Sequence, residues 1–373
     1  MCLLFVWLLP RIVYRLEMMK TPSDDLITTI DSGYEEIILQ NSIAMASSPN
    51  VTMIWEESKT DSYQRLLNLF RKPKVSDEFQ KYNYPRAFLL WGISSYVMRA
   101  RSSEDVNRIK LLFQPYITED GSPNFQLNRI DQGPFGIVAL HLYELTGDNK
   151  YLNFADILFK YIESCIDFDS QIIDYRKGLD IVLNDMLGLV IPFLLVYYKI
   201  TNNVLAKSLA EKQIDYFIKY GVDHETMIPV HGIHKISKIK VGSANWGRGI
   251  GWFIISHSVC SLYNQKYLEG FNVLKSTLEK IRNTDNLWSQ FPGTSNTFDA
   301  SASLMIIYSI LLSNNQYLNK SQFFDLIKKY LTKDGLVLNT SGDTFGLNEY
   351  SQTFGKSELS QGLLLLILSE LKD

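Results

Sequence analysis

Two aspartates, Asp131 and Asp185, stand 54 positions apart, and each leads into a strongly apolar run. Carboxyl groups held side by side suit general acid and base work, because one can keep a proton while the other accepts one. Asp185 lies between Ile181-Val182-Leu183 and Met186-Leu187. An apolar surround disfavours the ionised form and raises a carboxyl pKa towards neutrality. The structural alternative for each acid is a helix cap or first-turn charge, worth about 1 kcal/mol to its helix. A second candidate is Trp246-Gly247-Arg248-Gly249-Ile250-Gly251-Trp252. Arg248 offers a planar fork that matches either a substrate carboxylate or a structural aspartate, and Trp246 and Trp252 offer flat faces to a sugar ring. The glycines let the backbone approach a ligand or bend sharply, and their spacing is not that of a dinucleotide loop. His231 and His234 precede this segment. No third residue is placed to complete a metal site with them, so they read as surface loop histidines or, as the sharper alternative with His231, as hydrogen-bonding partners of a substrate. Trp288 and the small residues Ala300-Ser301-Ala302-Ser303 complete the set, the latter as substrate contacts or as a close helix contact.

These residues must be positioned by a repeat. A polar turn followed by an amphipathic run occurs at Asp148-Asn149-Lys150-Tyr151-Leu152, Asn203, Asn264-Gln265-Lys266-Tyr267-Leu268 and Asn314-Asn315-Gln316-Tyr317-Leu318. Each unit reads as a helical hairpin of about 55 residues. Ile137 to Leu145 and Leu187 to Tyr198 are apolar all round, as helices buried on both faces are. Phe154 to Ile162 and Leu205 to Ile218 carry apolar residues at three- and four-residue spacing, as outer helices do. Further helices are expected over Leu26 to Ile43, Asp61 to Leu69, Tyr84 to Met98 and Asp105 to Tyr116. The length accommodates about six hairpins, so the expected fold is all-α, an (α/α)6 barrel or six-hairpin toroid, with an open α-solenoid as the alternative. Long connections (Thr118 to Asn128, Asp167 to Leu179, Val222 to Asn245, Asn283 to Phe298, Lys333 to Lys356) each lead into an inner helix and would share one rim, where function concentrates.

Composition removes several classes. The chain has 373 residues, 46% of them hydrophobic, and a net charge of −3 with no basic block, so nucleic acid is not an expected partner. Three cysteines, Cys2, Cys165 and Cys260, form neither a disulfide framework nor a Cys-x-x-Cys site. The apolar run Cys2 to Pro10 is too short to span a bilayer, so no transmembrane segment is expected. Residues 1–25 are read as a leader, disordered or preceding a later start at Met18 or Met19, and residues 26–373 as one domain. The expected compartment is the cytoplasm, or the periplasm if the apolar run is a signal.

Together these segments resemble the unsaturated glucuronyl and rhamnogalacturonyl hydrolases, glycoside hydrolase families 88 and 105. The resemblance runs from about Tyr84 to the C-terminus. It rests on Trp246 to Trp252, on Asp185 followed by Pro192-Phe193-Leu194, on Trp288 with Ser301 to Met305, and on Asp131 one repeat upstream. It implies an oligosaccharide substrate ending in a uronic acid with a C4–C5 double bond, which is hydrated rather than displaced at the anomeric carbon. Asp185 would be the acid and base, Asp131 would hold the substrate or tune its partner, and Arg248 and Trp252, with His231, would bind the uronate. No metal or organic cofactor is implied. This chain departs from the family pattern at Leu183, where a Trp is common, at Phe298-Asp299, and across Val222 to Asn245. A barrel that binds glycans in polysaccharide assembly without cleaving them, or one that serves as a protein scaffold, is the rival reading.

Overall fold

In each copy of the recurrent turn the Asn or Asp caps the segment that follows. Asp148 accepts from the Lys150 amide, Asn203 from Leu205 and Ala206, Asn264 from Lys266, and Asn314 from Gln316. The repeat is thus a series of helix starts, each satisfying amides that a first turn leaves unpaired. The computed structural model describes residues 26–27, 30, 33–55, 81–100, 102–176, 178–294, 297–344 and 346–371. The leader and the helix expected over Asp61 to Leu69 lie outside the described residues.

Among the described residues there are twelve α-helices: α1 (Tyr34–Ser47), α2 (Tyr84–Ala100), α3 (Ser103–Phe113), α4 (Gly133–Thr146), α5 (Asn149–Ser164), α6 (Asp185–Thr201), α7 (Val204–Gly221), α8 (Gly247–Tyr263), α9 (Leu268–Lys280), α10 (Ala300–Ser313), α11 (Lys320–Ile327) and α12 (Glu358–Glu370). The even-numbered helices form the inner ring. Each packs on the next, from α2 through α4, α6, α8 and α10 to α12, and α12 packs back on α2. The ring therefore closes, giving the (α/α)6 barrel and excluding the open solenoid. Inner helices are buried along their whole length, as in Met186 to Leu195 of α6 and Leu359 to Leu368 of α12. Outer helices bury one stripe, as in α5 with Tyr151, Phe154, Ala155, Leu158, Phe159 and Ile162. No helix among the described residues is long and apolar enough to cross a membrane.

The seam between first and last inner helices is the tightest contact. A Cβ on Gly92 of α2 would lie 2.2 Å from the Gly362 carbonyl oxygen of α12, and one on Gly362 would lie 2.2 Å from that of Phe88. Just above the seam, the buried Arg86 and Glu358 pair on two nitrogens, Nε to Oε2 at 2.6 Å and Nη2 to Oε1 at 2.9 Å. Arg86 also donates to the carbonyls of Ala46 and Ser48, and Glu358 exchanges hydrogen bonds with the Thr52 backbone.

The long connections lie on the rim formed by the inner-helix N-termini. Five begin alike, with a tight hairpin whose turn residue is left-handed: Gly121, Gln171, Met227, Asn286 and Gly335. Two small sheets then set the register of the rim. Strands β1 (Ile181–Leu183), β2 (Gly232–His234) and β3 (Lys240–Val241) pair antiparallel in that order, with Leu183 opposite Gly232. Strands β4 (Thr340–Ser341) and β5 (Phe354–Gly355) form the second.

Two substitutions test the seam by thermal and denaturant unfolding. Gly92→Ala drives a methyl group into backbone and is expected to destabilise by about 3 kcal/mol or more. Glu358→Gln leaves a buried guanidinium without its counter-charge, with an expected loss of about 3–5 kcal/mol. A change below about 1 kcal/mol in either would show that closure is carried elsewhere.

Candidate active site

The register of the first sheet builds the centre. Because Leu183 faces Gly232, the residue just before β2, His231, meets the residue two beyond β1, Asp185, and His231 Nε2 lies 3.2 Å from Asp185 Oδ2. The Asn184 amide donates to the His231 carbonyl at 2.9 Å, locking the same junction. His231 is held on its other side by Tyr350, whose hydroxyl is 3.3 Å from Nδ1, and its ring lies 4.5 Å from that of Trp246. His234 turns away and is engaged by Ser237. No group of three or more His, Cys, Asp or Glu among the described residues has metal-binding geometry.

Neither aspartate serves as a helix cap. Asp185 is the first residue of α6, after an N-cap, Asn184, that makes no side-chain cap bond. Asp131 lies in the 3-10 turn Ile130–Gln132 ahead of α4, where Gln132 closes the turn. The apolar environment expected for Asp185 belongs instead to Asp131. Met186 and Leu187 turn into the barrel wall while the Asp185 side chain stays 16% exposed. Asp131 is 2% exposed, and burial pushes its carboxyl up to about 6 against the hydrogen bond from Tyr175. Burial raises the Tyr175 phenol, and the charges of Asp131 and Asp185 push it the same way.

Arg248 is 1% exposed and fixed by a polar network at the start of α10. Its Nε donates to Ser301 Oγ at 3.1 Å and its Nη2 to Ser341, and both serines donate to Asp299. The structural aspartate weighed for Arg248 is therefore Asp299, reached through two hydroxyls. Nη1 is buried with no hydrogen-bond partner and faces Asp343, whose Oδ1 lies 3.8 Å away and accepts from the Tyr84 hydroxyl at 2.8 Å. Trp252 lies beneath, with Tyr84 and Phe88 edge-on to it. Its indole is closed in by protein, with α6 so near that a Cβ on Gly188 would be 2.5 Å from Cε3.

The three glycines of the motif are packing sites rather than ligand contacts. Gly247 abuts the Ser289 carbonyl, Gly249 admits Trp246 and Asn184, and Gly251 admits Met305. Trp288 is also corrected: its indole donates to the Leu278 carbonyl of α9 at 2.9 Å and lies under Arg282, so it pins a loop to the outer layer. Ser301 and Ser303 hold polar groups, Ser303 accepting from the Trp288 amide. The structure thus gathers Asp131, Asp185, His231, Trp246, Arg248 and Trp252, and adds Tyr84, Tyr175, Asp343 and Tyr350, which the sequence reading missed. Tyr84 could have been found, since it opens α2 as Asp185 opens α6. Beside Tyr175, a cavity of about 1010 Å³ runs outward between Tyr161, Arg176, Phe168 and Lys235.

Acids and a buried guanidinium are thus gathered at one end of an (α/α)6 barrel. The sequence profile of Glycosyl Hydrolase Family 88 covers residues 60–361. The chain belongs to that family. It is accordingly a glycoside hydrolase with an oligosaccharide substrate. A possible member of the GH105 family from Klebsiella pneumoniae subsp. pneumoniae is 15% identical, with a TM-score of 0.71 over 94% of this chain and 95% of that one. Another, from Salmonella enterica subsp. enterica serovar Paratyphi A, is 17% identical, with a TM-score of 0.71 over 94% and 96%. An unsaturated glucuronyl hydrolase specific for heparin is 12% identical, with a TM-score of 0.65 over 98% and 97%. At these identities the likeness is one of fold. Among curated proteins, none matches the chain.

Because Asp131 keeps its proton up to about pH 6, a family 88 site that uses it as a donor loses activity as pH rises through that value. Asp131→Asn, which mimics the protonated form, is expected to remove this limb from the pH–rate profile of kcat/KM while leaving activity in acid within about a hundredfold of wild type. A limb that persists in the variant would assign it to another group.

Proposed function

We propose that the chain removes an unsaturated uronic acid from the end of an oligosaccharide by hydrating its C4–C5 double bond. The observation that carries this reading is the buried Arg248, with one donor unpaired, set among carboxyl groups at the barrel mouth. A site of this kind recognises an anion, and the guanidinium fork suits a carboxylate. The N-termini of all six inner helices converge on the same rim, and their dipoles also favour negative charge there.

In the reaction, Asp185 delivers a proton to C4, leaving positive charge shared between C5 and the ring oxygen. Water adds at C5 and gives its proton to the Asp185 carboxylate, and the resulting hemiketal opens with release of the leaving sugar. His231, 3.2 Å from Asp185, orients that carboxyl, and its own orientation is fixed by Tyr350. Asp131, which burial keeps protonated up to about pH 6 and which Tyr175 contacts, donates a hydrogen bond to the sugar in that form. The carboxylate spacing that separates retaining from inverting glycosidases does not govern such a reaction, since no group is displaced at the anomeric carbon.

Loss of the ultraviolet absorbance of the double bond follows the reaction directly. Purified protein is expected to bleach lyase-generated oligosaccharides from at least one of pectin, glycosaminoglycans or bacterial capsules. Asp185→Asn should be slower by roughly 10² to 10⁴-fold with unfolding unchanged. Glycan binding without bleaching by the wild type would favour the non-hydrolytic barrel. Bleaching undiminished in Asp185→Asn would remove Asp185 from the chemistry.

A further inference from the structure

Asp343 belongs to no motif that marks the family in this chain, yet it shares the free end of Arg248. It follows β4 by two residues in the loop that leads to α12, and its own amide donates to the Ile54 carbonyl. Its Oδ1 accepts from Tyr84 at 2.8 Å and stands 3.8 Å from Arg248 Nη1. Arg248 cannot turn to meet it, because Nε and Nη2 are held by Ser301 and Ser341. The Asp343 side chain is 24% exposed, so a proton can reach it from water.

Resting on the reading of Arg248 as the uronate-binding residue, we propose that Asp343 senses the charge of the sugar: it is the counter-ion of Arg248 until a uronate carboxylate takes that role, and it then carries a proton. The geometry requires an exchange of this kind. A carboxylate that bonds Nη1 at about 2.8 Å comes to rest within a few ångströms of Asp343. Two ionised carboxylates on one guanidinium donor repel, and the cheaper state is one of them protonated. The groups facing Asp343 are Arg248 from α8, Tyr84 from α2, Asp185 from α6 and the Thr344 amide of its own loop, with Asp131 and Tyr175 also within its electrostatic reach. Arg248, Tyr84 and the amide favour the ionised form, while Asp185 and burial oppose it and prevail. A bound uronate takes over Arg248 and adds a negative charge, so both changes act towards the neutral form. Binding of an acidic sugar is then linked to uptake of a proton by Asp343, whereas a neutral sugar draws none to that residue.

The test is calorimetric titration of the protein with free glucuronate and galacturonate, in buffers of different ionisation heat, between pH 5 and 8. The wild type is expected to take up as much as one proton per uronate, with Kd weakening by up to about tenfold per pH unit above the Asp343 pKa. Asp343→Asn should lose the share of that uptake that belongs to Asp343, keeping only what Asp131, with its carboxyl pushed up to about 6, takes up around that pH. Tyr84→Phe removes a bond to the ionised form and should move the uptake to higher pH, which keeps the proposal open to test if Asp343→Asn does not fold. Uptake unchanged in both variants overturns the role of Asp343 while leaving the uronate site intact. Failure of the wild type to bind either acid at any pH overturns the reading of Arg248 and this inference with it.

Discussion

The molecule depends on a ring that must close. Six inner helices can bury all their faces only if the last packs on the first, and the junction is made by a glycine pair that lets backbones touch and by the Arg86–Glu358 pair above it. A buried ion pair contributes little net stability against an apolar substitute, but its geometry is exacting. Here it has five further partners in carbonyls, a phenol and an amide, so it fixes the axial position of α12 against α2 and against the segment from Ala46 to Thr52. That axial position determines where the loop before α12 begins, and hence where Asp343 meets Tyr84 and Arg248.

The candidate site is an arrangement of loops on this frame. Sheet register brings Asp185 to His231, a 3-10 turn sets Asp131, and the Asp299–Ser301–Ser341 network aims Arg248. Asp299 caps α10 through the Ser301 amide, but neither Asp131 nor Asp185 is consumed by capping, although both lie where caps are common. Acids at helix N-termini that make no cap bond are available to a ligand, and the converging dipoles lower the free energy of bringing an anion there.

The ring and the acid pair were legible in the sequence because they repeat. Apolar faces at a helical period and polar turns at a period of about 55 residues mark the hairpins, and helix starts at equivalent places mark Asp131 and Asp185. Tyr84 and Asp343 were not legible, since they are 259 positions apart and meet only through closure. Trp288 looked like a sugar platform because its neighbours are aromatic and polar, but nothing local to its sequence says that Leu278 offers a carbonyl to its indole. The burial of Asp131 was likewise invisible, because the rings and chains that cover it come from separate loops, while the apolar residues beside Asp185 face the wall.

The Gly92–Gly362 seam also has a consequence in time. Its partners are about 270 positions apart, so the contact that completes the ring forms only after the greater part of the chain has been synthesised, and such long-range closure is slow to find. During synthesis the first inner helices carry Tyr84, Asp131 and Asp185 with one flank uncovered. Hydrolysis therefore begins with the finished toroid, and until then the exposed flank of α2 is the surface a chaperone or an aggregate would meet.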